Sequence, residues 1–165
     1  MEVRNMKKLV IIALLALLPA VAFAQFGIGP AAFYNSPVLA GETIDPDDLD
    51  AEHFTFGANA RLKLTLLHAE ALALVSLSPF TSDIFLDIGA AVDIAVLRLS
   101  AGIGPKLTYT SGEGLFRGGY NLKVNADIVL GSISVGLSYI WNVTLDGDLD
   151  VRGRRGLLGF SVLFW

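Results

Sequence analysis

His53 and His68 are the only histidines of the chain, and there is no cysteine. A catalytic site built on histidine needs a hydroxyl nucleophile or an orienting carboxylate beside the ring. His53 closes a run of six acids and no base, Glu42 to Glu52 (E-T-I-D-P-D-D-L-D-A-E), and no serine accompanies it in its own stretch. That run lacks the spacing and central glycine of an EF-hand loop. D-G-D-L-D at Asp146 to Asp150 is closer to the start of a calcium loop, but no closing glutamate follows, and Arg152 does. Arg152, Arg154 and Arg155 suit phosphate, although they also balance Asp146, Asp148 and Asp150, which is the favoured reading. No G-x-G-x-x-G leads from a strand into a helix, so nothing here cradles a dinucleotide. No catalytic, metal or cofactor-binding residue is assigned, no cofactor is expected, and the chain is read as a non-enzyme.

The elements that would have to carry such groups begin with an export signal. Lys7 and Lys8 precede the apolar run Leu9 to Leu18, then Pro19, then the small-x-small site Ala22-Phe23-Ala24. This is the layout of a cleavable signal peptide over residues 1–24, with Gln25 as the first mature residue and Met6 as an alternative start. The rival is a retained anchor, but roughly 10 apolar residues are short against the roughly 20 that span a bilayer. Cleavage removes Glu2, Arg4, Lys7 and Lys8 from 12 basic and 16 acidic residues, so the mature net charge is −6. That argues against nucleic acid as a partner. Without cysteine, no disulfide framework holds the exported domain, residues 25–165.

The mature chain alternates with period two, the mark of strands. Apolar residues occupy even positions from Phe54 to Leu66, odd ones from Ala69 to Leu77, and even ones from Ile84 to Val92. They are odd again from Leu97 to Tyr109, even from Phe116 to Ile128, and odd from Ile133 to Val143. With Phe26 to Tyr34 in front and Gly156 to Trp165 behind, about eight strands are expected. Leu67 to Leu77 and Ala90 to Ala101 are rich in alanine and leucine and could be helical, but they carry charges and lack caps. Connectors alternate between long (Asn35–His53, Ser78–Asp83, Thr110–Leu115, Leu145–Arg155) and tight (near Leu66-Leu67, Ile94–Val96, Leu130–Ser132). Charges within strands keep to one parity: Arg61, Lys63, Glu70, Asp87, Asp93, Arg98, Lys106, Arg117, Lys123 and Asp127. Tyr34, Phe54, Phe56, Tyr109, Phe116, Tyr139 and Trp141 cluster toward the long connectors, most of them on the opposite parity.

A signal peptide, strands of about ten residues, connector asymmetry, an aromatic belt and the terminal Phe164-Trp165 together resemble the small eight-stranded outer-membrane β-barrels of the OmpA/OmpX-type class. The resemblance is one of architecture over the whole mature chain. It implies an all-β, closed, antiparallel, up-and-down transmembrane barrel in the outer membrane of a Gram-negative-type bacterium. It further implies a monomer in contact with outer-membrane lipid and lipopolysaccharide, with Phe164 and Trp165 as a signal to the barrel-assembly machinery. Eight strands enclose only enough room for side chains, so the ten charges above are expected to pack and pair in the lumen. Arg61 or Lys63 with Glu70, and Arg98 with Asp87 or Asp93, are the pairs that hairpin neighbours allow. The seven aromatics would form an outer girdle. Both histidines read as polar rim residues, with His68 at the tight-turn end. The function expected is structural or surface-interacting, with loops outward and a plugged lumen. The alternatives are a narrow pore, a lipid- or solute-handling barrel, or a soluble periplasmic barrel that binds lipid.

One repeat stands apart. G-I-G-P-x-x-x-Y-x-S occurs at Gly27–Ser36 and again at Gly102–Ser111. In the barrel reading both copies put Ile, Pro and Tyr outward and the glycines inward, on the first and fifth strands. Each proline removes a ladder donor, so a bulge is expected beside it. The repeat reads as a corner device and as a trace of a duplicated four-strand half, with chance in a glycine-rich chain as the alternative.

Overall fold

In a computed structural model of the chain, residues 24–36, 53–77, 80–111, 116–144 and 156–165 are described. They form β1 (Ala24–Ser36), β2 (Phe54–Leu64), β3 (Leu67–Leu77), β4 (Phe80–Ile94), β5 (Leu97–Thr110), β6 (Phe116–Leu130), β7 (Ile133–Thr144) and β8 (Gly156–Phe164). Every consecutive pair is antiparallel, and β8 closes on β1, so the sheet is an eight-stranded up-and-down barrel. The alanine- and leucine-rich stretches are strands, not helices: β3 covers one, and the end of β4 and the start of β5 cover the other.

The register determines the shape. Stepping through paired residues from Ala24 to Leu64, Leu67, Ala90, Ala101, Val124, Tyr139 and Leu158 returns to β1 at Tyr34, ten residues beyond the start. With the usual rise and strand spacing, that stagger tilts the strands by about 40°.

The tight connections are two-residue turns at Thr65-Leu66, Ala95-Val96 and Gly131-Ser132. The first residue of each has positive φ: 55° at Thr65, 55° at Ala95 and 63° at Gly131. Only Gly131 adopts that backbone without steric cost. These turns define one end of the barrel, the turn end, and the longer connections define the loop end.

Two expectations are corrected. The stretch Ser78–Asp83 is not a six-residue connector, because β4 begins at Phe80, and Thr81, Ser82 and Asp83 pair with Ser76, Val75 and Leu74. Its polarity comes from position, since Thr81 and Asp83 are on the inward parity at the polar mouth of the barrel. Second, neither proline carries a bulge. The register is unchanged across Pro30 on the β1–β8 seam and across Pro105 on the β4–β5 seam. Instead, two ladder pairs drop out at each place, Gly29-Pro30 beside Val162-Leu163 and Gly104-Pro105 beside Leu86-Asp87. The glycine before each proline lets the neighbouring strand come close. A Cβ at Gly29 would strike the carbonyl oxygen of Val162, and one at Gly104 that of Leu86. Both copies of the repeat therefore make the same local interruption, four strands apart on opposite walls.

Side chains divide by parity. Outward positions carry Ile28, Leu67, Ile88, Ile103, Leu122 and Leu137, all exposed, whereas Arg61, Glu70, Asp87, Lys123 and Asp127 are buried inside. In β8 the outward set is Leu158, Phe160, Val162 and Phe164, and Leu157, Gly159, Ser161 and Leu163 are buried.

Candidate functional site: a filled barrel interior with a polar cup

From the turn end upward, the interior holds a lid, an ionic layer, an apolar plug and a cup. Trp165 forms the lid. Its ring turns inward, its backbone N–H donates to the Ser132 carbonyl (2.8 Å), and its Nε1 donates to Ser134 Oγ (2.9 Å). A Cβ on Gly27 would meet that ring at 2.8 Å, so Gly27 makes room for it. The Arg98 guanidinium lies 4.6 Å from the ring centroid, a cation–π geometry. Arg98 also donates to Asp93 Oδ1 (2.7 Å) and Gln25 Oε1 (2.6 Å), and Lys63 reaches Asp93 Oδ2 at 2.8 Å.

The ionic layer centres on Glu70. Its carboxylate accepts from Lys123 Nζ, lies 3.2 Å from Arg61 Nε and 3.1 Å from His68 Nε2, and accepts from Asn125 Nδ2 at 3.2 Å. Arg61 also crosses the barrel to Asp127 Oδ2 at 2.6 Å. Asn125 continues the layer by donating to Ser100 Oγ and accepting from Ser138 Oγ. Arg61 and Glu70 side chains are 0% exposed, as is that of Lys123. A buried charge is costly unless paired and hydrogen-bonded. The closed sheet brings such partners to one level for Arg61, Glu70, Lys123 and Asp127, whereas buried Asp87 lies near Lys123 with neither carboxylate oxygen hydrogen-bonded among the described residues.

Above this lies a plug of Ala31, Phe33, Leu72, Leu74, Phe85, Ile140 and Leu157, all buried. Beyond the plug lies a cup of about 300 Å³ at the loop end, its described lining polar except for Leu157. Lys106 Nζ and Asp83 Oδ2 pair across its wall at 3.0 Å, and Thr108 Oγ1 donates to Asp83 Oδ1 at 2.5 Å. His53 enters the lining from the loop side, edge-on to Tyr34 with centroids 6.0 Å apart.

Of the ten charges read as luminal, Arg61, Glu70, Asp87, Arg98, Lys123 and Asp127 are buried in the interior. Lys63 and Lys106 are part-exposed, and the Asp93 side chain is 40% exposed at the turn end. Arg117 is described only by its backbone pairing with Thr108, and Phe116 only by its pairing with Tyr109. Arg61 pairs with Glu70 and Arg98 with Asp93, not with Asp87; Lys63 takes Asp93. The Arg61–Asp127 and Glu70–Lys123 pairs span non-adjacent strands, which hairpin-neighbour reasoning does not reach. Asp83 sits in a stretch whose composition suggests a connector, so the sequence does not mark it as luminal. His68 is no rim residue: it is buried against Glu70. The plug was legible in principle, because Leu72 and Leu74 share the parity of Glu70, Phe85 that of Asp87, Ile140 that of Ser134 and Ser138, and Phe33 that of Gly27 and Gly29.

Outside, Tyr34 packs on Phe54 (5.3 Å), Phe54 on Phe56 (6.4 Å) and Tyr139 on Trp141 (4.6 Å), toward the loop end. Tyr109 is exposed on the same parity, and so are Phe80 and Tyr120, which the reading of the sequence did not place in this belt. Phe164 points out while Trp165 points in, so the two terminal aromatics sit in different environments. The acidic run Glu42–Glu52 and the Asp146–Arg155 cluster lie outside the described residues, as does the segment 1–23. Among the described residues, no three His, Asp or Glu side chains group to hold a metal. No protein-family profile, curated protein or solved structure matches the chain.

Proposed function

We propose that this is a small outer-membrane β-barrel of a Gram-negative-type bacterium, exported by residues 1–24 and processed before Gln25, with a structural or surface-interaction role. The observation that carries the reading is the inverted partition of the barrel. Arg61, Glu70, Lys123 and Asp127 are inside, while Ile88 (71% exposed), Leu137 (63%) and Ile103 (57%) are outside. Soluble monomers rarely expose contiguous apolar patches beyond a few hundred Å², and here the apolar face circles the sheet. Hydrocarbon suits such a face, and closure leaves no unpaired sheet edge for lipid to meet. At a tilt of about 40°, ten residues climb about 25 Å, the height of the apolar band of outer-membrane barrels. The aromatic pairs toward the loop end suit one interface of that band.

The plug and the ionic layer favour a barrel without a through-channel. A soluble lipid carrier would require the opposite partition, with an apolar cavity inside. In the proposed orientation the turn end and Trp165 face the periplasm, and the cup and long connections face outward. Phe164 and Trp165 remain the proposed assembly signal, and monomeric residence among lipid and lipopolysaccharide is part of the proposal. The test is expression with the native leader, followed by membrane fractionation and gel mobility before and after boiling. A folded barrel recovered with outer membranes, shifting on boiling, supports the proposal. Folded protein in the soluble periplasm overturns it. Planar-bilayer recording tests the plugged interior, and stable unitary channels would refute it.

A further inference from the structure

The cup at the loop end has features that the barrel reading does not require. Its walls bring Ser76, Thr81 and Asn142 together with His53 above a floor at Leu157. Two of these residues carry polar atoms, His53 Nδ1 and Asn142 Oδ1, that no protein group satisfies among the described residues. Among the described residues the cup wall holds one ion pair, in which Asp83 holds Lys106 at 3.0 Å and also takes the Thr108 hydroxyl. The buried apolar plug lies beneath the cup on its turn-end side.

We propose that this cup binds one neutral, polyhydroxylated ring: a monosaccharide, free or as the terminal unit of a glycan. Three properties select that class. Among the described lining residues Lys106 and Asp83 pair with each other, so neither an anion nor a cation gains an ionic partner from them. Hydroxyl and amide linings present donors and acceptors together, and a sugar hydroxyl is itself both. At about 300 Å³ the cup is at the small end of ligand sites, which limits the occupant to a single ring. The inference deepens the surface-interaction reading and rests on it only for the side of the membrane that the cup faces.

The test uses the mature chain in phosphatidylcholine nanodiscs, because glucoside and maltoside detergents carry the proposed ligand class. Saturation-transfer NMR is run against neutral hexoses, N-acetylhexosamines and short oligosaccharides ending in them, with inorganic phosphate as the charged control. At least one sugar shows transfer at millimolar concentration, and phosphate shows none. Tighter binding of an oligosaccharide than of its terminal sugar identifies a glycan end as the ligand; the reverse identifies the free sugar. Asn142→Leu and Ser76→Val each weaken binding tenfold or more, while Leu137→Ile on the outer face leaves it unchanged. Heat-modifiable mobility shows that each variant is folded. Asp83→Asn frees Lys106 and creates phosphate binding that the wild type lacks. Absence of transfer from every sugar, sugar binding indifferent to Asn142→Leu, or phosphate binding by the wild type overturns the proposal. Any of these in a barrel that still inserts and shifts on boiling leaves the membrane reading standing.

Discussion

Glu70 is the side chain on which the interior most depends, and its loss has an effect that can be worked through contact by contact. In Glu70→Gln the carboxylate that meets Lys123, Arg61, His68 and Asn125 loses its charge. Arg61 keeps Asp127 at 2.6 Å. Lys123, fully buried, keeps the ring face of Phe33 at 5.5 Å and the nearby carboxyl of Asp87, with neither of which it has a close hydrogen bond. The cost therefore concentrates on a buried ammonium that has lost its hydrogen-bonded carboxylate, and breaking a buried pair in this way costs about 3–5 kcal/mol. Lys123→Met is milder, because Glu70 retains Arg61, His68 and Asn125, although Asp87 loses a nearby cation. The double variant Glu70→Gln, Lys123→Met removes the stranded charge and is less destabilised than Glu70→Gln alone. Equilibrium urea unfolding in lipid vesicles, followed by tryptophan fluorescence, measures all three. Two results would refute the reasoning: a Glu70→Gln cost below about 1 kcal/mol, or a double variant whose cost equals the sum of the singles.

Other consequences are more local. Ala95→Gly relieves a positive φ at a two-residue turn and raises stability by about 1 kcal/mol in the same unfolding assay, while Gly131→Ala costs a similar amount. Gly104→Ala drives a Cβ into the Leu86 carbonyl and sharply lowers the yield of heat-modifiable barrel, as does Gly29→Ala at Val162; equal yields would contradict the close approach at both seams. Trp165→Ala removes the lid and the face on which Arg98 stacks, and costs about 2 kcal/mol by urea unfolding, while blocking of the barrel to ions persists because the plug remains. Ile103→Arg on the outer face costs about 2–4 kcal/mol in vesicles if that face meets lipid; a neutral effect would place it in water.

Strand number, strand parity and the inward placement of Arg61, Glu70, Asp87, Arg98, Lys123 and Asp127 were legible because a period of two leaves little freedom: a one-residue slip moves every side chain to the other face. Arg61, Asp87, Lys123 and Asp127 could be assigned to one parity from their own strands alone. Which of them meet could not, because pairing across the barrel depends on the ten-residue stagger, a property of all eight registers together. The Ser78–Asp83 stretch misled because polar residues facing a wet mouth resemble a loop in composition. His68 shares the inward parity of Glu70, two residues along β3, and its burial there comes from the closed wall around both, which the strand alone does not show. The GIGP repeat announced a backbone device, but an unshifted register with two pairs missing is a geometry that proline and glycine alone do not distinguish from a bulge.

The account's central claim is that the apolar parity faces hydrocarbon while the charged parity faces a filled interior. The chain has no cysteine, so single cysteines along β5 and β6 can carry a spin label without background. Accessibility to oxygen, which concentrates in lipid, and to a water-soluble nickel complex is then measured residue by residue in vesicles. At Leu99, Ala101, Ile103, Leu122, Val124 and Ala126, all exposed, the account predicts high oxygen and low nickel accessibility. At the buried Ser100, Asn121 and Asn125 it predicts low accessibility to both. High nickel accessibility at the outward set, alternating with the same period of two, would contradict it.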